Sequence, residues 1–320
     1  EAMEELSKEK RAALERHMAG AEEEGGEPDE EDQDAEDAVA AFLDPNELQL
    51  DVLQGIVEDE EGAPSKAFST RKSDLGTNKQ EIVDELEGMM KKMNPDQTRA
   101  YETCCKEITE YKRAQAAGER YKGNPIFISG PGGTGKSFLL RAIRLKVHIE
   151  LAEDLEDLTS VVTAPTGCAA LNVDGDTVHH ALSLPIQQGG GTVDMGMSAK
   201  KKQEMRNAYG KTHAFLFDEV SLISANQLCQ IASRLRAITG TVEPDVHFGG
   251  LLTFWFGDLR QLNPVKARRP YATPTTAGGG AGGAVFSLWR DLMLLCPLAI
   301  IERQKGDQAF AELLNRVRTA

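Results

Sequence analysis

No run of apolar residues in this sequence approaches the ~18 that a membrane-spanning helix needs, which argues against an integral helical membrane protein. Cysteine is sparse too. The five present, Cys104, Cys105, Cys168, Cys229 and Cys296, are odd in number and show no CxxC or Cys/His spacing. That argues against a disulfide scaffold or a zinc site and fits a reducing compartment. No secretory signal peptide is visible. The chain begins at Glu1 rather than Met and is expected to be a fragment.

Basic residues are scarce only at one end. Residues 1–61 carry 23 acidic and 4 basic side chains, and the other 259 residues carry 28 acidic and 32 basic. The formal net charge of −15 thus belongs to an acidic leader attached to a slightly basic body. The body alone is not barred from polyanionic partners. Residues 21–37 cannot bury enough apolar surface to offset the entropy of ordering. The leader, residues 1–75, is therefore expected to be largely disordered. Its more apolar stretch from Val39 to Val57 reads as a transient helix, or as a docking segment for a protein partner.

From residue 76 to 320 short apolar runs alternate with helical stretches. PIFIS (125–129), SVVTA (160–164), AFLF (214–217) and LLTFWFG (251–257) read as strands, with LAII (298–301) as a further one. Helices are expected from Gly135, from Gly167, over 224–238 and over 307–318. Runs of four to seven apolar residues between helices predict an α/β fold, a parallel sheet covered by helices on both faces. The glycine-rich stretches 189–191 and 278–283 read as loops.

The segment GPGGTGKS contains Gly130, Gly132, Gly133, Thr134, Gly135, Lys136 and Ser137, and fits the pattern of a phosphate-binding loop between a strand and a helix. Glycines let the backbone N–H groups approach phosphate oxygens, and the helix start adds a favourable dipole. Lys136 is expected at the β- and γ-phosphates and Ser137 on Mg²⁺, so the cofactors expected are ATP and Mg²⁺. Asp218 and Glu219 close the strand AFLF, where carboxylates face the ligand crevice of an α/β sheet. Asp218 is expected in the metal's shell, and Glu219 as the group that orients or deprotonates the attacking water. Gln261, after the next strand, is placed to sense the γ-phosphate.

These motifs, in this order, resemble the Pif-one family of superfamily 1B 5′-to-3′ DNA helicases, including the helicase domain of Helitron transposons. MNPDQ (93–97) resembles the Q motif, and GPGGTGKS motif I. The segment 163–185 resembles motif Ia and its continuation. FDEVSLIS (217–224) resembles motif II, FGDLRQLNPV (256–265) motif III, and residues 301–318 motif IV. The resemblance covers residues 93–318 and implies a RecA-like motor domain over 76–320, with a small insertion near 186–212. It implies adenine contact by Gln97 and a γ-phosphate contact by Arg303. It places Pro165, Thr166 and His179 along single-stranded DNA, with Lys200–Lys202 either on DNA phosphates or on a solvated face. The implied partners are single-stranded DNA and tailed or forked duplexes. The implied activity is ATP-driven translocation and unwinding in repair, recombination or telomere maintenance. A monomer is expected, in the nucleus first and the mitochondrion second.

There are departures. Asn263 replaces a usual proline, Leu222 a usual methionine, and Asp174 and Asp176 add negative charge near the expected DNA path. Motifs V and VI are not in the sequence, so this chain alone is expected to bind ATP, turn over slowly and not unwind duplexes. Two rival readings use the same loop: a P-loop ATPase of another type, and a truncated nucleotide-binding interaction module.

Overall fold

A strand with apolar residues on both faces has to be covered on both, and this chain supplies two sets of helices to do it. The computed structural model describes residues 78–184, 197–265, 267–272 and 288–302, all within the unit Lys66–Ala320. In chain order these residues form α1 (Lys79–Met90), α2 (Pro95–Ala116), β1 (Ile126–Ser129), α3 (Lys136–Leu151), β2 (Ser160–Ala164) and α4 (Gly167–Asn172). They continue with β3 (Asp176–Thr177), α5 (Val178–Ala181), α6 (Ala199–Ala208), β4 (Ala214–Phe217) and a 3₁₀ turn (Val220–Leu222). Last come α7 (Ala225–Thr239), a second 3₁₀ turn (His247–Gly250), β5 (Leu252–Gly257), α8 (Leu288–Leu292) and β6 (Leu294–Pro297).

The six strands lie in the order β3-β2-β4-β5-β1-β6, and every pairing is parallel. Strand periodicity sorts the core into two layers. Ile126, Ile128, Ala214, Leu216, Leu252, Phe254 and Phe256 pack with α1, α2 and α3. Phe127, Phe215, Phe217 and Trp255 pack with α5, α6, α7 and α8. The second layer is aromatic. Phe217 stacks on Trp255 with ring centroids 4.0 Å apart, and Trp289 sits edge-on to Phe127 at 4.8 Å. Such pairs contribute ~1 kcal/mol each beyond their burial. They stiffen β4 and β5 just before the polar residues at their ends.

The order brings β5 between β1 and β4. The loops after β1, β4 and β5 therefore emerge side by side, at the end of a parallel sheet where ligands bind. Four of the expected strands fall on the runs read from the sequence. The fifth is corrected: β6 occupies 294–297 rather than 298–301. Leu294 N–H starts the pairing by donating to the Pro125 carbonyl, and Leu298 N–H ends it on Ser129. Beyond that point Ala299 and Ile300 turn their N–H groups to the Asp96 carboxylate instead of a strand. The leader, the two glycine-rich stretches and the helix expected over 307–318 lie outside the described residues.

Candidate nucleotide site

Of the α-helices whose start is seen, all but one have a side chain capping the first turn. Asn78, Asn94, Thr166, Thr177, Ser198 and Ser224 accept from N–H groups of α1, α2, α4, α5, α6 and α7. The exception is α3, which opens on Gly135 with no side-chain cap. An uncapped start leaves backbone donors for another acceptor, and the helix dipole makes an anion the favoured one. Gly133 (φ 84°) and Gly135 (φ 80°) have left-handed backbones that curl the loop over this start. Lys136 is the first residue of α3, and its ammonium donates to the carbonyls of Gly130 (2.8 Å) and Pro131 (3.1 Å). The charge is thereby held over the loop. Ser137, next in the first turn, is exposed, as is Gly132.

The loop is braced from outside. Thr134 is buried; its hydroxyl donates to Pro131 O at 2.9 Å, and its carbonyl accepts from Gln97 Nε2 at 3.0 Å. The Gly133 carbonyl accepts from Glu302 N–H at 2.8 Å. At Gly130 a Cβ would lie 2.7 Å from Thr134 Oγ1 and 2.9 Å from Leu298 O, so close packing alone demands glycine there. Gln97 is 3 % exposed. It completes a capping box with Asn94, whose N–H donates to Gln97 Oε1 at 3.0 Å. Its amide thus supports the loop as well as its own helix, a contact the sequence reading did not anticipate.

The carboxylates sit beside the loop. Asp218 is buried, and its carboxyl is pushed up to about 6, chiefly by burial and further by the charge of Glu219, while Lys136 pulls it down. Asp218 Oδ1 accepts from Glu219 N–H at 2.9 Å. Glu219 is half-buried in a left-handed conformation (φ 48°, ψ 45°), which costs a non-glycine residue ~1–2 kcal/mol. The Gly257 carbonyl accepts from Gly130 N–H at 3.1 Å, and a Cβ on Gly257 would meet Val220 Cγ1 at 2.8 Å. One glycine thus joins the loops after β1, β4 and β5. Beyond it Asp258 is 1 % exposed and holds Arg260 N–H at 3.1 Å. Gln261 is exposed at the end of this turn, its N–H on Asp258 O.

Pro165 and Thr166 follow β2 and are half-buried. The Thr166 hydroxyl accepts from Ala169 N–H at 3.3 Å. His179, in α5, is half-buried, held below its ordinary pKa by burial, and lies 3.3 Å from Gln227 Nε2 through its own Nε2. Asp176 pairs with His180 at 2.5 Å, and this hydrogen bond holds that imidazole's pKa above its ordinary value. Lys200–Lys202 lies in α6, with Lys201 paired to Glu204. Arg303 lies outside the described residues.

Three residues at this site escaped the sequence reading: Asn94, Asp96 and Glu302. Asn94 Nδ2 donates to Glu302 Oε1 at 2.7 Å, and Asp96 Oδ2 accepts from Ala299 and Ile300 N–H at 2.9 and 3.1 Å. Those backbone bonds hold the Asp96 carboxyl below its ordinary pKa. The signal available was N-P-D-Q, an N-cap asparagine, proline at the first helical position and glutamine at the third. It announces a helix start but not what that start holds.

A family model described as PIF1-like helicase matches residues 93–318. The chain is 30% identical over 197 residues to the ATP-dependent DNA helicase PIF1 of Emericella nidulans, covering 62% of this chain and 25% of that protein. It is 30% identical over 200 residues to the mouse (Mus musculus) protein of the same name, covering 62% and 27%. The crystal structure of Pif1 helicase from Candida albicans superimposes with a TM-score of 0.50 at 24% identity, covering 71% of this chain and 44% of that one, a likeness of fold. The chain spans about a quarter of the length of these curated relatives. With a matched segment that runs from the Asn94 cap past Glu302, and so takes in the braced loop, both carboxylates and the turn to Gln261, this chain belongs to the PIF1-like helicase family.

Proposed function

We propose that this chain binds and hydrolyses ATP, and that in the whole protein hydrolysis drives 5′-to-3′ movement along single-stranded DNA and unwinding of tailed or forked duplexes. The observation that carries the nucleotide reading is the uncapped, glycine-curled start of α3 beside a buried carboxylate. Backbone N–H groups of the loop and Lys136 hold the phosphates. Glu219 takes or orients the proton of the attacking water, its unusual backbone fixing its direction. Gln261 and Arg303 sense the γ-phosphate, and Gln97 contacts the adenine. The residues fit a magnesium ion: burial makes the Asp218 charge costly, and a neighbouring cation reverses that cost. Ser137 and Asp218 would hold it, and it would draw charge off the phosphate oxygens.

Pro165, Thr166 and His179 serve as the strand-contacting edge, at the same end of the sheet as the phosphate loop. Residues 1–75 form the leader and 76–320 the motor domain, with the insertion near 186–212. The chain acts inside the cell, in the nucleus first, in DNA repair, recombination or telomere maintenance. The relatives named above are ATP-dependent DNA helicases, which supports these readings.

The test is ATP turnover by the whole protein with and without single-stranded DNA. Turnover should rise with DNA, and the rise should vanish in Gln261→Ala while ATP affinity stays. DNA affinity should fall steeply with salt, as phosphate contacts require. Turnover indifferent to DNA would sink the motor reading and leave an ATPase of another kind.

A further inference from the structure

Two successive peptide units of the phosphate loop are held by their carbonyls. The Gly133 carbonyl is fixed by Glu302 N–H at 2.8 Å and the Thr134 carbonyl by Gln97 Nε2 at 3.0 Å. In a planar trans peptide the carbonyl and the following N–H point in opposite directions, and none of the described peptide bonds is cis. Anchoring these carbonyls therefore aims the N–H groups of Thr134 and Gly135 away from α2 and the segment 298–302. That is the direction in which a loop of successive amides receives an anion.

The anchors are themselves anchored, and the fixed point is the first turn of α2. Asn94 and Gln97 exchange two hydrogen bonds, of 2.9 and 3.0 Å, and Asn94 Nδ2 reaches Glu302 Oε1 at 2.7 Å. One oxygen of Asp96, 8 % exposed, accepts from both Ala299 and Ile300 N–H. We infer that Asp96, with Asn94 and Gln97, is a positioning residue for the nucleotide reaction: it pins the segment 299–302 so that Glu302 and Gln97 hold the anion-binding amides of the loop in place. This rests on the nucleotide reading above. An acidic residue in a first helical turn is favourable anywhere through the dipole alone. That role needs no partner, whereas Asp96 takes two backbone donors from a segment more than 200 residues away. A Gln97 amide committed to Thr134 O also predicts an effect on phosphate that does not depend on the base.

The experiment measures binding of magnesium-ATP and of magnesium-tripolyphosphate, which has no base, by calorimetry on the 320-residue chain, with thermal unfolding in parallel. Asp96→Ala should weaken both ligands by about tenfold. Asp96→Asn keeps an oxygen for the two N–H groups and should return both affinities to within about twofold of wild type. Gln97→Ala should weaken tripolyphosphate by about tenfold through the loop, and ATP by at least as much because the adenine contact goes too. Asn94→Ala, a milder cut of the link to Glu302, should weaken both by about threefold and stands in if Asp96→Ala fails to fold. A lower melting temperature with unchanged affinities in Asp96→Ala would make Asp96 merely structural and overturn the inference. Asp96→Asn as weak as Asp96→Ala would assign the effect to charge, not to the brace. Loss confined to ATP in Gln97→Ala would leave only a base contact. Wild-type protein that binds neither ligand would overturn the nucleotide reading itself.

Discussion

The loops that follow β1 and β2 are both strand-to-helix turns at the same end of one parallel sheet, and they begin their helices in opposite ways. After β2, Thr166 folds its hydroxyl onto Ala169 N–H and closes α4 from within. After β1, α3 starts on a glycine that has no side chain to cap its first turn. A glycine in place of a capping side chain costs roughly a few tenths of a kcal/mol, and the sequence meets that cost only here among the helix starts that are seen. The loop after β1 is also held by segments far away in the chain, Gln97 and Glu302, whereas Thr166 works within three residues of itself. A strand-to-helix turn can thus be a self-satisfied structural element or a set of donors held open for a ligand. What separates the two is the hydrogen-bond ledger of the first helical turn.

The largest expected effect tests whether chemistry happens beside the loop after β1, at the carboxylates that follow β4. Glu219→Gln removes a base and keeps the shape, so turnover should fall by about 10³-fold. ATP affinity should stay within a few-fold, read by binding of labelled nucleotide beside steady-state hydrolysis. Unchanged turnover would assign the loop to binding alone and favour a nucleotide-binding module over an enzyme.

Asp218 sharpens the same point through stability. Its folded pKa of about 6 lies above the ordinary 3.8. Between those values the folded chain binds more protons than the unfolded one, so stability falls as pH rises through this window. The contribution is whole below about pH 4 and lost above about pH 6. Asp218→Asn, which keeps an oxygen for Glu219 N–H, should therefore stabilise the chain at pH 8 by up to about 3 kcal/mol. The gain should shrink toward zero near pH 4, while ATP turnover is lost at every pH. Equal stability of the two proteins at pH 8 would mean that Asp218 is no strained functional carboxylate.

Four strands and the two carboxylates at the end of β4 were legible because their signal is local. An apolar run such as Phe215–Phe217 ending in Asp218 needs no distant information to be read as a covered strand with a polar end. The phosphate loop was legible for the same reason, since its glycines answer to backbone angles within eight residues. What stayed hidden depends on pairing across the chain. The apolar stretch from Leu292 to Ile301 offers several registers for one strand, and only the diversion of Ala299 and Ile300 to Asp96 decides where β6 stops. Gln97 could be read as a motif residue, but its bond to Thr134 O joins positions 37 residues apart. The two-residue β3 is too short to leave a pattern at all.

Glycine substitutions set the two loops against each other directly. Gly135 has φ 80°, and a Cβ there would lie 2.4 Å from Gln97 Nε2. Gly135→Ala should destabilise the chain by about 1–2 kcal/mol and weaken ATP binding by about tenfold. Gly167, the first residue of α4, has open space where its Cβ would go and no left-handed backbone. Gly167→Ala should leave ATP affinity alone and raise stability by about 0.5 kcal/mol. Similar responses at the two sites, in melting temperature and in ATP titration, would break the contrast.

The smallest effect separates the two tasks placed on Thr166. As a cap its oxygen accepts from Ala169 N–H, and as a strand contact its hydroxyl hydrogen remains to be given to a DNA phosphate. Thr166→Ala should cost about 1 kcal/mol of stability and also weaken binding of single-stranded DNA. Thr166→Asp keeps a good cap and puts a negative charge where a phosphate is expected. It should unfold at the wild-type temperature, bind ATP as wild type does, and lose DNA affinity by about tenfold at low salt, with the loss fading as salt screens the charge. A DNA affinity that survives in Thr166→Asp would leave Thr166 as a cap and nothing more, and would move the DNA path away from the start of α4.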